Sequence, residues 1–78
     1  MRHLWHAYVE HESTNEILFM RGACVEVRVL AEPLVGGAIR RCYEVVAPTA
    51  ADAMEIVRVS GKGRIVALSF RSSMDDGL

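Results

Sequence analysis

The chain has 78 residues, 51% of them hydrophobic and 24% charged, a balance that fits one globular domain and excludes a disordered segment. Nine basic and ten acidic side chains leave a formal charge of −1, which argues against a general nucleic-acid binder with a basic surface and equally against an acidic mimic of DNA. Two cysteines are too few for a disulfide scaffold, and no apolar run approaches the roughly 20 residues that span a bilayer, so a cytoplasmic protein with no membrane partner is expected.

"HLWHAYVEH" alternates with period two and reads as a half-buried strand, with Trp5, Ala7 and Val9 on one face and Leu4, His6 and Tyr8 on the other. In "STNEILFMRG", Ser13 and Glu16 have the spacing of a capping box and Gly22 stands where a helix would stop, giving a helix of about two turns. The four apolar residues Ile17 to Met20 also fit a strand, so this segment keeps two readings.

"CVEVRVLAE" is the clearest strand, its valines on one face and Glu26 and Arg28 on the other. "PLVGGA" turns the chain, and "IRRCYEVVA" returns it. A three-residue turn, Val35 to Gly37, puts Gly37 in the left-handed position. Partner numbers then sum to 72: Val29 faces Tyr43, Val27 faces Val45, Arg28 pairs with Glu44, and Glu32 pairs with Arg40. In this register Cys24 lies six residues along the ladder from the partner of Cys42, roughly 20 Å, too far for a disulfide.

Pro48 ends the return strand. Thr49, with Asp52 in the third position, caps a helix whose inward stripe is Ala53, Ile56, Val57 and Ser60, and Gly61 terminates it. "RIVALSFRS" is the last strand, with Val66, Leu68 and Phe70 inward and Ile65, Ala67 and Ser69 outward. Residues 1–72 thus form a single α+β domain, and 73–78 a flexible tail. The order β-α-β-β-α-β predicts a ferredoxin-like two-layer sandwich. If the first helix is a strand, the order is β-β-β-α-β, a sheet with one helix. Either way one sheet face stays open, and function is expected there.

Nothing in the sequence assembles a recognisable reaction centre. Metal ligands must converge, yet His3 and His11 lie eight residues apart on one strand face while His6 and Glu10 project from the other, so no metal or cofactor is expected. In "SGKGR" the glycines follow a helix instead of preceding one, which points the dipole the wrong way for a phosphate loop. Cys42 and His6 come near each other if the first and third strands are neighbours, but no oxyanion donors accompany them. Asp75 and Asp76 read as solvated charge in the tail. The chain is therefore read as no enzyme.

The open face gathers His6, Tyr8, Glu26, Arg28, Arg40 and Glu44 as candidate binding residues. Eight of the nine basic residues are arginines, whose planar forks suit interfaces. Tyr8 and His6 evoke the stacking surfaces of RNA-recognition modules, but the third strand offers no ring and Glu44 repels phosphate. The last strand is expected at a sheet edge, with an apolar stretch from Ile65 to Phe70 guarded only by Arg64 and Arg71. Ile65, Ala67, Ser69 and Arg71 are thus candidates for a dimer or partner edge, and a homodimer is expected.

"YEVVAPTAADAMEIVRVSGKGRIVALSF", with Ala47, Thr49, Ala53 and Gly61 as its markers, resembles a pattern in small phage and mobile-element proteins. Among these it is similar to anti-CRISPR proteins. That resemblance implies a non-enzymatic inhibitor that docks on a protein partner, a host nucleoprotein complex. The remaining alternatives are an RNA-binding ferredoxin-like module and a small-molecule-sensing regulatory domain, since similar sandwiches bind effectors at dimer interfaces.

Overall fold

The computed structural model describes residues 2–17, 24–33 and 37–73, with the backbone alone for 24–33. Its elements run β1 (His3–His11), α1 (Thr14–Ile17), β2 (Cys24–Pro33), β3 (Ile39–Ala47), α2 (Ala50–Ser60) and β4 (Arg64–Ser73). The four strands make one antiparallel sheet in the order β2-β3-β1-β4, so β1 and β3 are the central pair and β4 is an edge, as expected.

The period-two reading of β1 holds. Ala7, Val9 and His11 are buried, and Trp5 packs against the same core while its indole N–H donates to the Ala47 carbonyl at 3.0 Å. Tyr43, Val45 and Ala47 of β3 complete the sheet side of the core. From above, α2 lays Ala53 and Val57 onto it, flanked by Ile56. Thr49 caps that helix as its spacing predicts: its backbone is extended, its carbonyl accepts the Ala53 N–H at 3.0 Å, and its hydroxyl accepts the Asp52 N–H at 3.1 Å.

Four local expectations need correction. The first is the β2–β3 register. The sum of 72 survives only next to the turn, at Pro33 opposite Ile39, and Gly37 does take a left-handed φ of +83°. Two irregularities in β2 then shift the ladder. Arg28 lies opposite Cys42, Val29 opposite Arg41, Leu30 opposite Arg40, and Glu44 opposite Val25. The in-register pairs Arg28–Glu44 and Glu32–Arg40 are therefore not formed, because each extra bulge residue displaces everything beyond it. The Cys42 side chain is a buried thiol.

The second is β4, whose pairing with β1 shifts twice. Ala67 faces Tyr8 and Ile65 faces Val9, which leaves Val66 as an extra residue. The alternation flips there: Ile65 packs against the core, contrary to the outward reading, and Val66 is exposed. Phe70 is 53% exposed and meets Trp5 and His3 edge-on, at 5.5 and 5.4 Å between ring centroids.

The third is the capping box of α1. The Glu16 carboxylate accepts the Glu12 N–H at 3.0 Å, one residue earlier than the Ser13 N–H that the box would use. Thr14–Ile17 is helical, and residues 18–21 of the expected helix, with the stop at Gly22, lie outside the described residues. The fourth is the tail. Ser73 still belongs to β4, paired with His3, while 74–78 lies outside the described residues.

Candidate interaction face

The face of the sheet opposite α2 is built by the even-numbered residues of the two central strands. The ladder aligns them in rows across three strands. Val46, Leu4 and Ser72 form the first row, and Glu44, His6 and Ser69 the second. Cys42, Tyr8 and Ala67 form the third, and Arg40, Glu10 and Arg64 the fourth. Of the predicted residues, His6, Tyr8, Arg40 and Glu44 are thus brought together, with Ala67 and Ser69 of β4 beside them.

The two charged rows differ in sign. In one, the Glu44 carboxylate lies 3.5 Å from His6 Nε2, so the row carries −1 when the imidazole is neutral. In the other, Glu10 bridges two guanidinium groups, accepting from Arg40 at 3.3 Å and from Arg64 at 3.4 Å, which leaves the row at +1. Between them lies the uncharged row, with a shallow hollow of about 380 Å³ lined by Tyr8, Arg40, Val66 and Ala67. All these polar side chains keep solvent contact, from 16% exposure for His6 to 76% for Arg64. The arrangement presents alternating charge around an uncharged centre of Tyr8 and Ala67, with Cys42 buried beneath them. It offers a surface to dock on, not an enclosed pocket for a small molecule.

Other predicted residues fall differently. Glu26 lies opposite Tyr43, a core position, whereas Arg28 lies opposite Cys42, a position on the open face. Ile65 turns into the core, and Arg71 is the exposed extra residue of the second β4 irregularity, between Phe70 and Ser72. Sequence reasoning put Glu10 on the His6 face but named neither Glu10 nor Arg64 as a binding residue. Glu10 was legible from alternation, being two and four residues beyond Tyr8 and His6. Arg64 was not, since its place depends on the bulge at Val66.

A second polar region sits at one end of the sheet. A cleft of about 460 Å³ is lined by Glu10, His11, Glu12, Glu16, Ala38, Gly63 and Arg64. His11 is fully buried there. Its Nε2 shares a 2.9 Å hydrogen bond with the Tyr43 hydroxyl, the rings meet edge-on at 5.8 Å, and Nδ1 lies 3.9 Å from the Glu16 carboxylate. Gly63 closes over Val9 and His11 with φ +144°, and a Cβ on it would stand 2.6 Å from Val9 Cγ1 and 2.8 Å from His11 Nδ1. The second glycine of "SGKGR" is therefore needed for close packing over a buried histidine. Gly61, by contrast, is extended (φ 176°), a conformation open to any residue.

The four candidate metal ligands do not converge. His3 and His11 occupy the two ends of β1 on the core side, and His6 and Glu10 lie on the open side, separated by the Tyr8 row. Among the described residues no group of three His, Cys, Asp or Glu is placed to hold a metal ion, and no helix is long and apolar enough to cross a membrane.

No protein-family model matches this chain, and neither a curated protein nor a solved structure matches it.

Proposed function

We propose that this chain is a small non-enzymatic binding protein of the cytoplasm that docks its open sheet face on a protein surface. The element order and the strand order β2-β3-β1-β4 support reading it as a ferredoxin-like two-layer sandwich with one face committed to its own helix and the other to a partner. The observation that carries the proposal is the open face itself: two oppositely charged rows, one tied across the strands by the Glu10 ion pairs with Arg40 and Arg64 and the other by the Glu44–His6 contact, on either side of an uncharged row. Pre-arranged charge of this kind gives orientation and partner choice more than raw affinity, which suits an inhibitor that must recognise one surface. In its most concrete form the partner is a protein subunit of a nucleoprotein machine, obstructed in the manner of anti-CRISPR proteins.

RNA binding is less well supported. Among the described residues Tyr8 is the one ring beside His6 in the central rows, and Glu10 and Glu44 place two carboxylates where a phosphate chain would run.

The test is affinity capture with the wild-type protein beside Arg40→Glu and Glu44→Arg variants that keep the wild-type circular dichroism. The expected result is one defined protein or complex retained by the wild type and lost by both variants. Retention of nuclease-sensitive RNA alone would replace the proposal with the RNA reading. Capture indifferent to both substitutions would remove the open face from the function.

A further inference from the structure

The charge pattern of the open face is complementary to itself, and we infer that in the absence of another partner this face binds a second copy of the chain. This rests on the docking role proposed above and names an occupant for the same surface. The geometry decides between the possible pairings. Two sheets can pack face to face about a twofold axis lying between them, either along the strands or across them. An axis along the strands would set each charged row over its own copy, net +1 on net +1 and net −1 on net −1; over β1 it stacks Glu10 on Glu10 and Arg40 on Arg64, and only between β3 and β1 does it bring Arg40 over Glu10.

An axis across the strands, through the Tyr8–Cys42 row, reverses strand direction. The row of Glu44 and His6 then falls over the row of Arg40 and Glu10 of the second copy, and the reverse. Glu44 meets the second copy's Arg40, and His6 meets the second copy's Glu10. Tyr8 lies at the axis beside the hollow it shares with Val66 and Ala67. Both intermolecular pairs are attractive, Glu44 with Arg40 as an ion pair and His6 with Glu10 through an imidazole N–H, and each extends a contact already present within one chain.

The β4 edge is the competing route to a dimer, and the structure weighs against it. Bulges at an edge twist it away from incoming strands, and β4 carries irregularities at both Val66 and Arg71 besides its two exposed arginines. Strand pairing needs a regular row of N–H and C=O groups that this edge interrupts twice.

Three strands of nine or so residues present about 450 Å² of flat face. That is roughly half of the about 800 Å² per partner in a standard stable interface, so the expected dimer is weak, in the micromolar range, and displaceable by a better-fitting partner.

Sedimentation equilibrium between about 5 and 500 μM tests this. The wild type is expected to dimerise, and Arg40→Glu and Glu44→Arg each to weaken self-association at least about tenfold. An equimolar mixture of the two variants is expected to recover it, because the two reversed side chains then face each other across the interface with opposite charge. If either reversal unfolds the chain, Arg40→Gln and Glu44→Gln report the same loss without the repulsion. A wild-type monomer throughout the range overturns the inference and leaves the docking proposal standing. A dimer that ignores both reversals overturns it too, moving the interface to another surface. Loss without recovery in the mixture overturns the transverse axis.

Discussion

Along β1 the residues of one face differ from those of the other in almost every physical respect. Ala7, Val9 and His11 are essentially inaccessible and belong to the core or its polar margin, whereas His6, Tyr8 and Glu10 face water between the side chains of β3 and β4. The first set is held by burial and shape. The second is held by the ion pairs of Glu10 with Arg40 and Arg64 at 3.3 and 3.4 Å and by the 3.5 Å His6–Glu44 contact, between groups that remain partly solvated, an ion pair of this kind being worth about 0–1 kcal/mol. The contrast teaches where stability and surface chemistry are separable in so small a domain. Residues that share one strand can be changed on one side at little cost to the fold and scarcely at all on the other.

The sharpest way to break this comparison is to put a charge on the wrong face. Val45 is fully buried at the centre of the core, so Val45→Asp should cost more than about 4 kcal/mol. A domain of this size holds only about 3–5 kcal/mol, so the variant is expected to be unfolded by circular dichroism at 25 °C. A cooperative melt near the wild-type temperature would contradict the core assignment.

Gly63→Ala should come next. The new methyl group would meet Val9 and His11, both buried, at a backbone φ that L residues rarely adopt. Strain and overpacking together predict a loss of about 2–4 kcal/mol in urea denaturation. Gly61→Ala, at an extended φ, is expected to cost clearly less.

Tyr43→Phe keeps the shape of the core but removes the hydroxyl that His11 Nε2 engages at 2.9 Å. Leaving that buried nitrogen without the bond should cost about 1–3 kcal/mol by the same measurement. A neutral result would show that the hydroxyl is not what holds the imidazole.

On the open face the effect should be much smaller. Glu10→Gln removes the carboxylate shared by Arg40 and Arg64, yet stability is expected to fall by less than about 1 kcal/mol while salt-dependent binding through this face weakens.

The smallest effect belongs to Glu55 on the solvent side of α2, whose carboxyl is lowered by the hydrogen bond from Arg58, with their charge attraction adding to it. A depressed carboxyl contributes stability above its unfolded pKa and loses it as pH falls through the folded value. The contribution is therefore complete at neutral pH and disappears only on acidification below the ordinary glutamate range. Since both groups are exposed, Glu55→Gln should shift Tm at pH 7 by no more than about 2 °C and not at all at pH 2.

The capping of α2 was legible because it is a local transaction: Thr49 and Asp52 are three residues apart and need no other part of the chain. The face assignment of β1 was legible for a similar reason, since alternation alone separates Trp5, Ala7 and Val9 from His6 and Tyr8. The left-handed Gly37 followed from the turn chemistry of its neighbours. The register beyond that turn did not, because a bulge residue such as Val66 has the same composition signature as any strand residue and is revealed only by its partner. The aromatic contact of Phe70 with His3 and Trp5 joins residues at opposite ends of the chain and was unreadable for that reason.

What the amino-acid order determined by itself was the four strands and α2, the cap of α2 and the side of β1 that must be buried, since these depend on period, propensity and hydrogen bonds within a few residues; the second element kept two readings. Tertiary structure alone decided which charges share a row, that Ile65 turns inward, and that Gly63 must be a glycine. Each of these rests on what a strand or loop meets across the sheet. A displacement of one residue there exchanges the faces of the sheet, at no cost visible to any local pattern.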